Sequence, residues 1–399
     1  MTDRSVIDTE ADYLDAITQI QNGHGPIAVD AERASGYRYS QRAYLIQIFR
    51  RGAGVFLFDP PAIGRFDALN DVIRDEEWII HAASQDLACL REVGLDPTRV
   101  FDTELAGRLL GLSRVGLGAV VEELLGIHLA KEHSAADWST RPLPESWLEY
   151  AALDVELLVD VRDKLADMIV DSGKERIAAE EFEATRLRQP KVNRQDPWRR
   201  LSGLHGVRGA RSLAVARELW LARDALARAR DIAPGRLVPD ASLVAVVKAQ
   251  PRSSAALAAM RDFKGRASRT DLDVWWNAVE RGLTTDDLPP LRPAASDTLP
   301  PARSWSERNP EADARLKAAR TALTTTAESL SLPLENLLTP ETLRRVAWTP
   351  PEPLSTAAMG DALRDLGARA WQIEATAQTI VDAFVEGNQA ASDLEKNDS

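Results

Sequence analysis

The sequence predicts an α/β domain with a mixed sheet, followed by two all-α helical-bundle domains. Three observations carry that reading. Two apolar runs in hairpin arrangement, 43–50 and 54–58, come early, and strand–helix alternation follows them; hairpins followed by alternation argue for a mixed sheet with helices on its faces. From residue 206 onward only helical patterns occur. Irregular stretches rich in cations or proline interrupt the chain at 186–205 and 286–304, as linkers do. The expected division is 1–185 for the α/β domain, 186–205 for a basic linker and 206–285 for the first helical domain. A Pro-rich linker at 286–304, a second helical domain at 305–392 and a disordered tail at 393–399 complete it.

Taken in order, 10–21 reads as a helix. In GPIAVDAERAS, Ile27, Val29 and Ala31 alternate with Ala28, Asp30 and Glu32. That period belongs to a strand and sets Asp30 and Glu32 on one face. Adjacent carboxylates repel unless a cation lies between them, although a solvated edge would also tolerate them. Residues 66–74 read as a helix and 78–81 as a short buried strand. A helix beginning at 82 or 83 and running through 90 carries Asp86, in the position of an acid that favours a helix N-terminus. Residues 99–103 form a strand leading into another helix, and 117–125 shows a continuous apolar helical face.

The stretch 137–161, DWSTRPLPESWLEYAALDVELLVDV, is a loop and then a helix from Trp147. Pro142 and Pro144 suit the helix entry. On a wheel of about 100° per residue, Glu149, Glu156 and Asp160 share a polar arc, while Tyr150 and Asp154 stack one above the other away from it. A carboxylate among apolar neighbours needs a partner: a metal, an arginine or a backbone cap. The preceding loop, 131–141, holds Lys131 and His133, and His133 reads as a solvated loop histidine. Helix is expected to continue through 166–184. Further on, 217–230 reads as one helix, with Asp240 as the cap of the next.

Net charge is −12, yet 186–283 holds 20 Lys and Arg against 9 Asp and Glu, and the remainder 29 against 52. A region of opposite sign to its chain is a footprint for a polyanion. Arg186, Arg188, Lys191, Arg194, Arg199 and Arg200 in the basic linker, with Lys131, are candidate phosphate contacts. The single cysteine, Cys89, excludes an intramolecular disulfide framework. No apolar run has the length of a membrane span, and the first ten residues lack the features of a signal peptide. A soluble cytoplasmic protein is expected.

The pieces Val29-Asp30-Ala31-Glu32, His81-Ala82-Ala83-Ser84-Gln85-Asp86, Phe101-Asp102-Thr103, Asp137-Trp138, Arg141-Pro142-Leu143 and Tyr150-Ala151-Ala152-Leu153-Asp154-Val155 occur in this order. Together they resemble the motifs of the DEDD-superfamily 3′–5′ exonucleases of the tyrosine branch and, more closely, the ribonuclease D family. Ala31 stands where the family often has Thr. The resemblance implies a ribonuclease-H-like sheet. It also implies HRDC-type helical domains, the first used for nucleic-acid contact. Asp30, Glu32, Asp86, Tyr150 and Asp154 would be the catalytic residues, and the four acids would hold two divalent ions, Mg²⁺ or Mn²⁺. The implied activity removes nucleotides from an RNA 3′ end and releases 5′-monophosphates. A tRNA precursor is the expected substrate and a monomer the expected state. The rivals are a DNA 3′–5′ exonuclease and a non-catalytic RNA-binding scaffold.

Overall fold

The computed structural model describes residues 5–129, 133, 135–189, 196–292 and 299–397. Lys131, Lys191 and Arg194 lie outside the described residues. The first unit is built on strands β1 (Val6–Ile7), β2 (His24–Arg33), β3 (Ala43–Arg51), β4 (Gly54–Phe58), β5 (Glu77–Ile80) and β6 (Arg99–Asp102). They form one sheet in the order β1-β4-β3-β2-β5-β6. β2, β3 and β4 pair antiparallel, whereas β1 with β4, β2 with β5 and β5 with β6 pair parallel. The sheet is therefore mixed, as the hairpin followed by alternation predicts.

Helices α1 (Glu10–Asn22), α2 (Pro60–Ile63), α3 (Asp67–Ile73), α4 (Leu87–Glu92), α5 (Thr103–Leu109), α6 (Leu117–Leu125), α7 (Glu145–Glu156), α8 (Leu158–Asp171) and α9 (Glu175–Arg186) complete this unit. The alternation in β2 divides its two faces. Ile27, Val29 and Ala31 enter a core with Tyr13, Ile20, Phe58 and Trp78. Ala28 lies on the other face, against Ile79, Val155, Leu158 and Val159. The second face, which also carries Asp30 and Glu32, is thus the one that α7 and α8 cover.

Several sequence expectations are corrected. The helix entered near Trp147 begins at Glu145 and breaks at Leu157; helix ends again at Asp171, where Gly173 takes φ 67°. No Gly or Pro marks the first break. The helix expected from 82 or 83 is a single 3₁₀ turn, Ala83–Gln85, and α4 starts only at Leu87. Ala82 is left-handed (φ 59°), which an α-helix excludes. Asp240 does not cap its helix. The cap position is Pro239, and the Asp240 carboxylate accepts the Ser202 N–H and pairs with Arg223 at 2.7 Å.

The helical part begins with α10 (Ala210–Arg230), α11 (Pro234–Leu237), α12 (Asp240–Ala249), α13 (Ser254–Ala258), α14 (Arg266–Thr270) and α15 (Leu272–Thr284). These close around Trp198, Leu213, Leu219, Val247 and Trp275. α15 comes so near α10 that a Cβ at Gly282 would stand 2.5 Å from the Val215 Cα, so only glycine fits there. A third unit holds α16 (Trp305–Arg308), α17 (Pro310–Ser329), α18 (Leu334–Leu337), α19 (Pro340–Trp348), α20 (Thr356–Asp365) and α21 (Ala370–Asn397). α21 continues to Asn397, past Asp393, where a disordered tail is expected from the sequence.

Both helical units are docked on the first. The loop leaving β2 is clamped by α10 and α11: the Gly36 carbonyl accepts from Arg236 Nε (2.6 Å), and the Tyr37 carbonyl accepts from the Ala233 N–H (2.9 Å). The Tyr39 hydroxyl bonds Asp224 at 2.9 Å, and Asp231 takes the Ser40 N–H and the Tyr44 hydroxyl. The third unit shares one continuous core with the first, in which Phe101, Leu109, Val161 and Phe182 meet Trp305, Leu337 and Phe384. Arg369 pairs with both oxygens of Glu181 at 2.6 Å, and Trp371 Nε1 adds a 2.8 Å bond to that carboxylate.

Candidate active site

Asp30 and Glu32 project from β2, opposite Gln47 and Leu45 of β3. α7 brings Asp154 over them. One oxygen from each of Asp30, Glu32 and Asp154 lies within 4.8 Å of the other two. Asp154 is 8% exposed and the other two are partly buried. Taking three charges out of water together is costly. Burial pushes Asp30 up to about 6, and burial followed by repulsion from neighbouring carboxylates pushes Asp154 to about 7 and Glu32 to about 10. The Ala31 N–H, 2.9 Å from the Asp30 carboxylate, acts in the opposite direction.

Asp86 comes from the segment after β5, the strand that pairs with β2. It follows the 3₁₀ turn after β5 and makes no side-chain bond to the start of α4. Its carboxylate instead lies 3.5 Å from Arg33 Nη2. Burial, and next the Asp30 charge, raise Asp86 well above the usual carboxylate range. The turn that presents it is fixed by Asp102, at the end of β6. Asp102 accepts the N–H groups of Ala82 (3.0 Å) and Ala83 (2.9 Å), and those of Glu104 and Leu105 at the start of α5.

Tyr150 stands one turn before Asp154, and burial followed by the Asp154 charge raises its hydroxyl above the usual phenol range. The hydroxyl is therefore protonated at neutral pH. His133, expected to be a solvated loop residue, is partly buried and packs its ring 5.6 Å from Trp147 and 5.9 Å from Tyr150. A cavity of about 200 Å³ adjoins Glu32, walled by Arg33, Gly36, Tyr37, Ala135 and Ala136. A larger cavity of about 450 Å³ lies at the β1–β4 edge against Phe49, Val55 and Glu156, away from the carboxylates.

The donor set suits a hard divalent cation: it is all oxygen, with no thiolate or imidazole in the trio. Gln47 adds an independent sign. It is fully buried directly opposite Asp30, and neither atom of its amide has a hydrogen-bond partner among the described residues. Buried amides are ordinarily satisfied, so this one waits for a further polar group at the site.

The basic linker supplies fewer unengaged cations than its sequence suggests. Arg186 pairs with Glu183 at 2.6 Å. Arg199 pairs with Asp196, bonds the Pro290 carbonyl and stacks on Trp198. These two are held by internal partners, whereas Arg188 and Arg200 are exposed. Arg33 and Asp102 escaped the sequence reading as site residues. Asp102 stood inside a quoted motif, but a strand-end aspartate before a helix reads as a simple cap.

This sheet, with carboxylates from a central strand and a covering helix, defines a 3′–5′ exonuclease domain. Residues 5–170 match the 3′-5′ exonuclease family, 212–279 the HRDC domain and 298–384 the 3′ to 5′ exonuclease C-terminal domain. The third segment thus has a family match of its own. Ribonuclease D from Cronobacter turicensis is 30% identical over 251 residues, which cover 61% of this chain and 67% of that one. A crystal structure of a protein from Bifidobacterium adolescentis is 37% identical with TM-score 0.89, covering 95% of this chain and 96% of that one. The structure of Escherichia coli RNase D, described as an exoribonuclease involved in structured RNA processing, is 27% identical with TM-score 0.66, covering 92% and 98%. The chain belongs to the ribonuclease D family. The aligned part spans 55% and 66% of the length of two further curated ribonuclease D relatives.

Proposed function

We propose that the protein is a metal-dependent 3′–5′ exoribonuclease that shortens RNA from its 3′ end and releases 5′-mononucleotides. The observation that carries this is the meeting of Asp30, Glu32 and Asp154 within 4.8 Å, with Tyr150 one helical turn from Asp154. Asp30, Glu32 and Asp154 would hold one cation and Asp86 would help hold a second, Mg²⁺ or Mn²⁺. Bound there, such cations stabilise the attacking and leaving oxygens of an in-line displacement. Tyr150, protonated, would donate to the attacking water and fix its direction. α7 keeps the tyrosine and Asp154 at a set separation. A tRNA precursor is the proposed substrate, in line with the structured-RNA role stated for the Escherichia coli relative. Among the described residues no helix is long and apolar enough to cross a membrane; a cytoplasmic monomer is our reading.

The test uses the full chain with matched 3′-extended RNA and DNA, labelled at the 5′ end, in Mg²⁺, Mn²⁺ or excess chelator. We expect a ladder of RNA products shortened one nucleotide at a time, 5′-mononucleotides as the released species and no reaction in chelator. Full activity in chelator, or internal cleavage, would overturn the reading. Equal shortening of DNA would assign the alternative substrate.

A further inference from the structure

Strand alternation alone would turn residue 33 away from Asp30 and Glu32. The structure does otherwise. Glu32 is opposite Leu45, but Arg33 is opposite Ala43, so the β2–β3 register slips between them. Irregularities of this kind re-aim a side chain. Here the Arg33 guanidinium arrives 3.5 Å from the Asp86 carboxylate. Among the described residues it is the one cation in ion-pair range of the four acids. Its charge acts on Asp30 and Glu32 as well as Asp86.

Two further features bear on what it does. The oxygens that come within 4.8 Å of one another belong to Asp30, Glu32 and Asp154, without Asp86. The acid paired with Arg33 is thus the one held apart. The Arg33 side chain is also 26% exposed, against 7% for that of Asp86, and among the described residues its one ion pair is this long one. A guanidinium on a flexible stem at the edge of solvent can leave without opening the core.

We propose that Arg33 is a resident counter-cation, which holds Asp86 when no divalent ion is bound and competes with divalent ions for that carboxylate. The inference rests on the metal-site reading above. Uncompensated buried carboxylates are unstable together, so a cation of the chain's own lets the site fold before it is loaded. The same charge must be displaced from Asp86 on loading, which weakens the apparent affinity.

The experiment compares wild type with Arg33→Gln and Arg33→Lys, as full chains, by Mn²⁺ calorimetry and by thermal unfolding in chelator. We expect Arg33→Gln to lower the melting temperature in chelator. It should also bind Mn²⁺ at least about tenfold more tightly, because a positive charge a few ångströms from the ion is gone. Arg33→Lys, which keeps the charge, should stay near wild type in both. An unchanged or weaker Mn²⁺ affinity in Arg33→Gln would overturn the competition. A separate comparison of wild type with Asp154→Asn identifies a failure of the metal reading itself: equal Mn²⁺ binding by those two would remove the site. In that case an unchanged melting temperature of Arg33→Gln in chelator would remove the counter-cation role too. If Arg33→Gln does not fold, the double variant Arg33→Gln with Asp86→Asn decides the pairing: recovery of folding once the acid is neutral supports it, and continued failure to fold overturns it.

Discussion

Tyr150 and Asp154 share one side of α7, yet their substitution should fail in different ways. Asp154→Ala removes an oxygen donor and leaves Asp30 and Glu32 to repel; we predict weakened Mn²⁺ binding by calorimetry and no measurable turnover. Tyr150→Phe keeps the ring and its packing on His133. We predict near-normal metal and RNA binding with single-turnover hydrolysis slower by about 10²-fold, the order of loss when a reacting group is misplaced. His81 gives a pH signature. Burial lowers it to about 4, and its Nδ1 sits 2.9 Å from the Thr103 hydroxyl. Because the folded-state value lies below the unfolded one, the unfolded chain takes up the proton first as pH falls. The stabilisation is complete above about pH 6.5 and is lost toward pH 4. Urea unfolding of wild type and His81→Gln should therefore differ most near neutrality and converge in acid; a constant difference would exclude the titration. Strand and helix periods set Asp30 beside Glu32 and Tyr150 beside Asp154, but their grouping with Asp86 as one site came from the resemblance of the motifs. Arg33 was not legible, because its aim depends on a slip in strand register that no local pattern announces.

The helices and strands of the first unit were largely readable from apolar spacing, and the strand of 54–58 and the helix of 117–125 match their expected bounds. The failures fall where tertiary contacts override local preference. Leu157 interrupts a helix whose apolar period continues on both sides of it, and Ala82 is turned left-handed beneath two N–H bonds to Asp102. That second device makes a prediction. Asp102→Ala leaves four backbone N–H groups without their acceptor. It should cost about 1–3 kcal/mol or more in urea unfolding. It should also slow turnover through a displaced Asp86, with Asp30 and Glu32 unaffected. Wild-type stability in this variant would show that the turn stands without Asp102.

Across the whole molecule, composition announced three segments but not how they are joined. The basic excess of the middle segment is partly spent on its own carboxylates, as in the Arg230–Asp271 and Arg228–Asp224 pairs, and partly on the loop after β2. The third unit, which reads as a separable bundle behind a Pro-rich linker, completes the first unit's core. Truncation after residue 292 should therefore expose Phe101, Val161 and Phe182, and we predict aggregation or dye binding typical of exposed apolar surface. Trp371→Ala in the full chain should cost about 3–5 kcal/mol, with loss of its bond to Glu181; a soluble, active truncation would overturn this reading. The shared core also has a consequence in time. During synthesis the nuclease part leaves the ribosome long before α21, roughly 10–40 s at the usual pace of translation. For that interval a broad oily flank of the newborn chain has no cover of its own. The order of segments along the chain thus leaves that flank unshielded by the chain itself until α21 has been made.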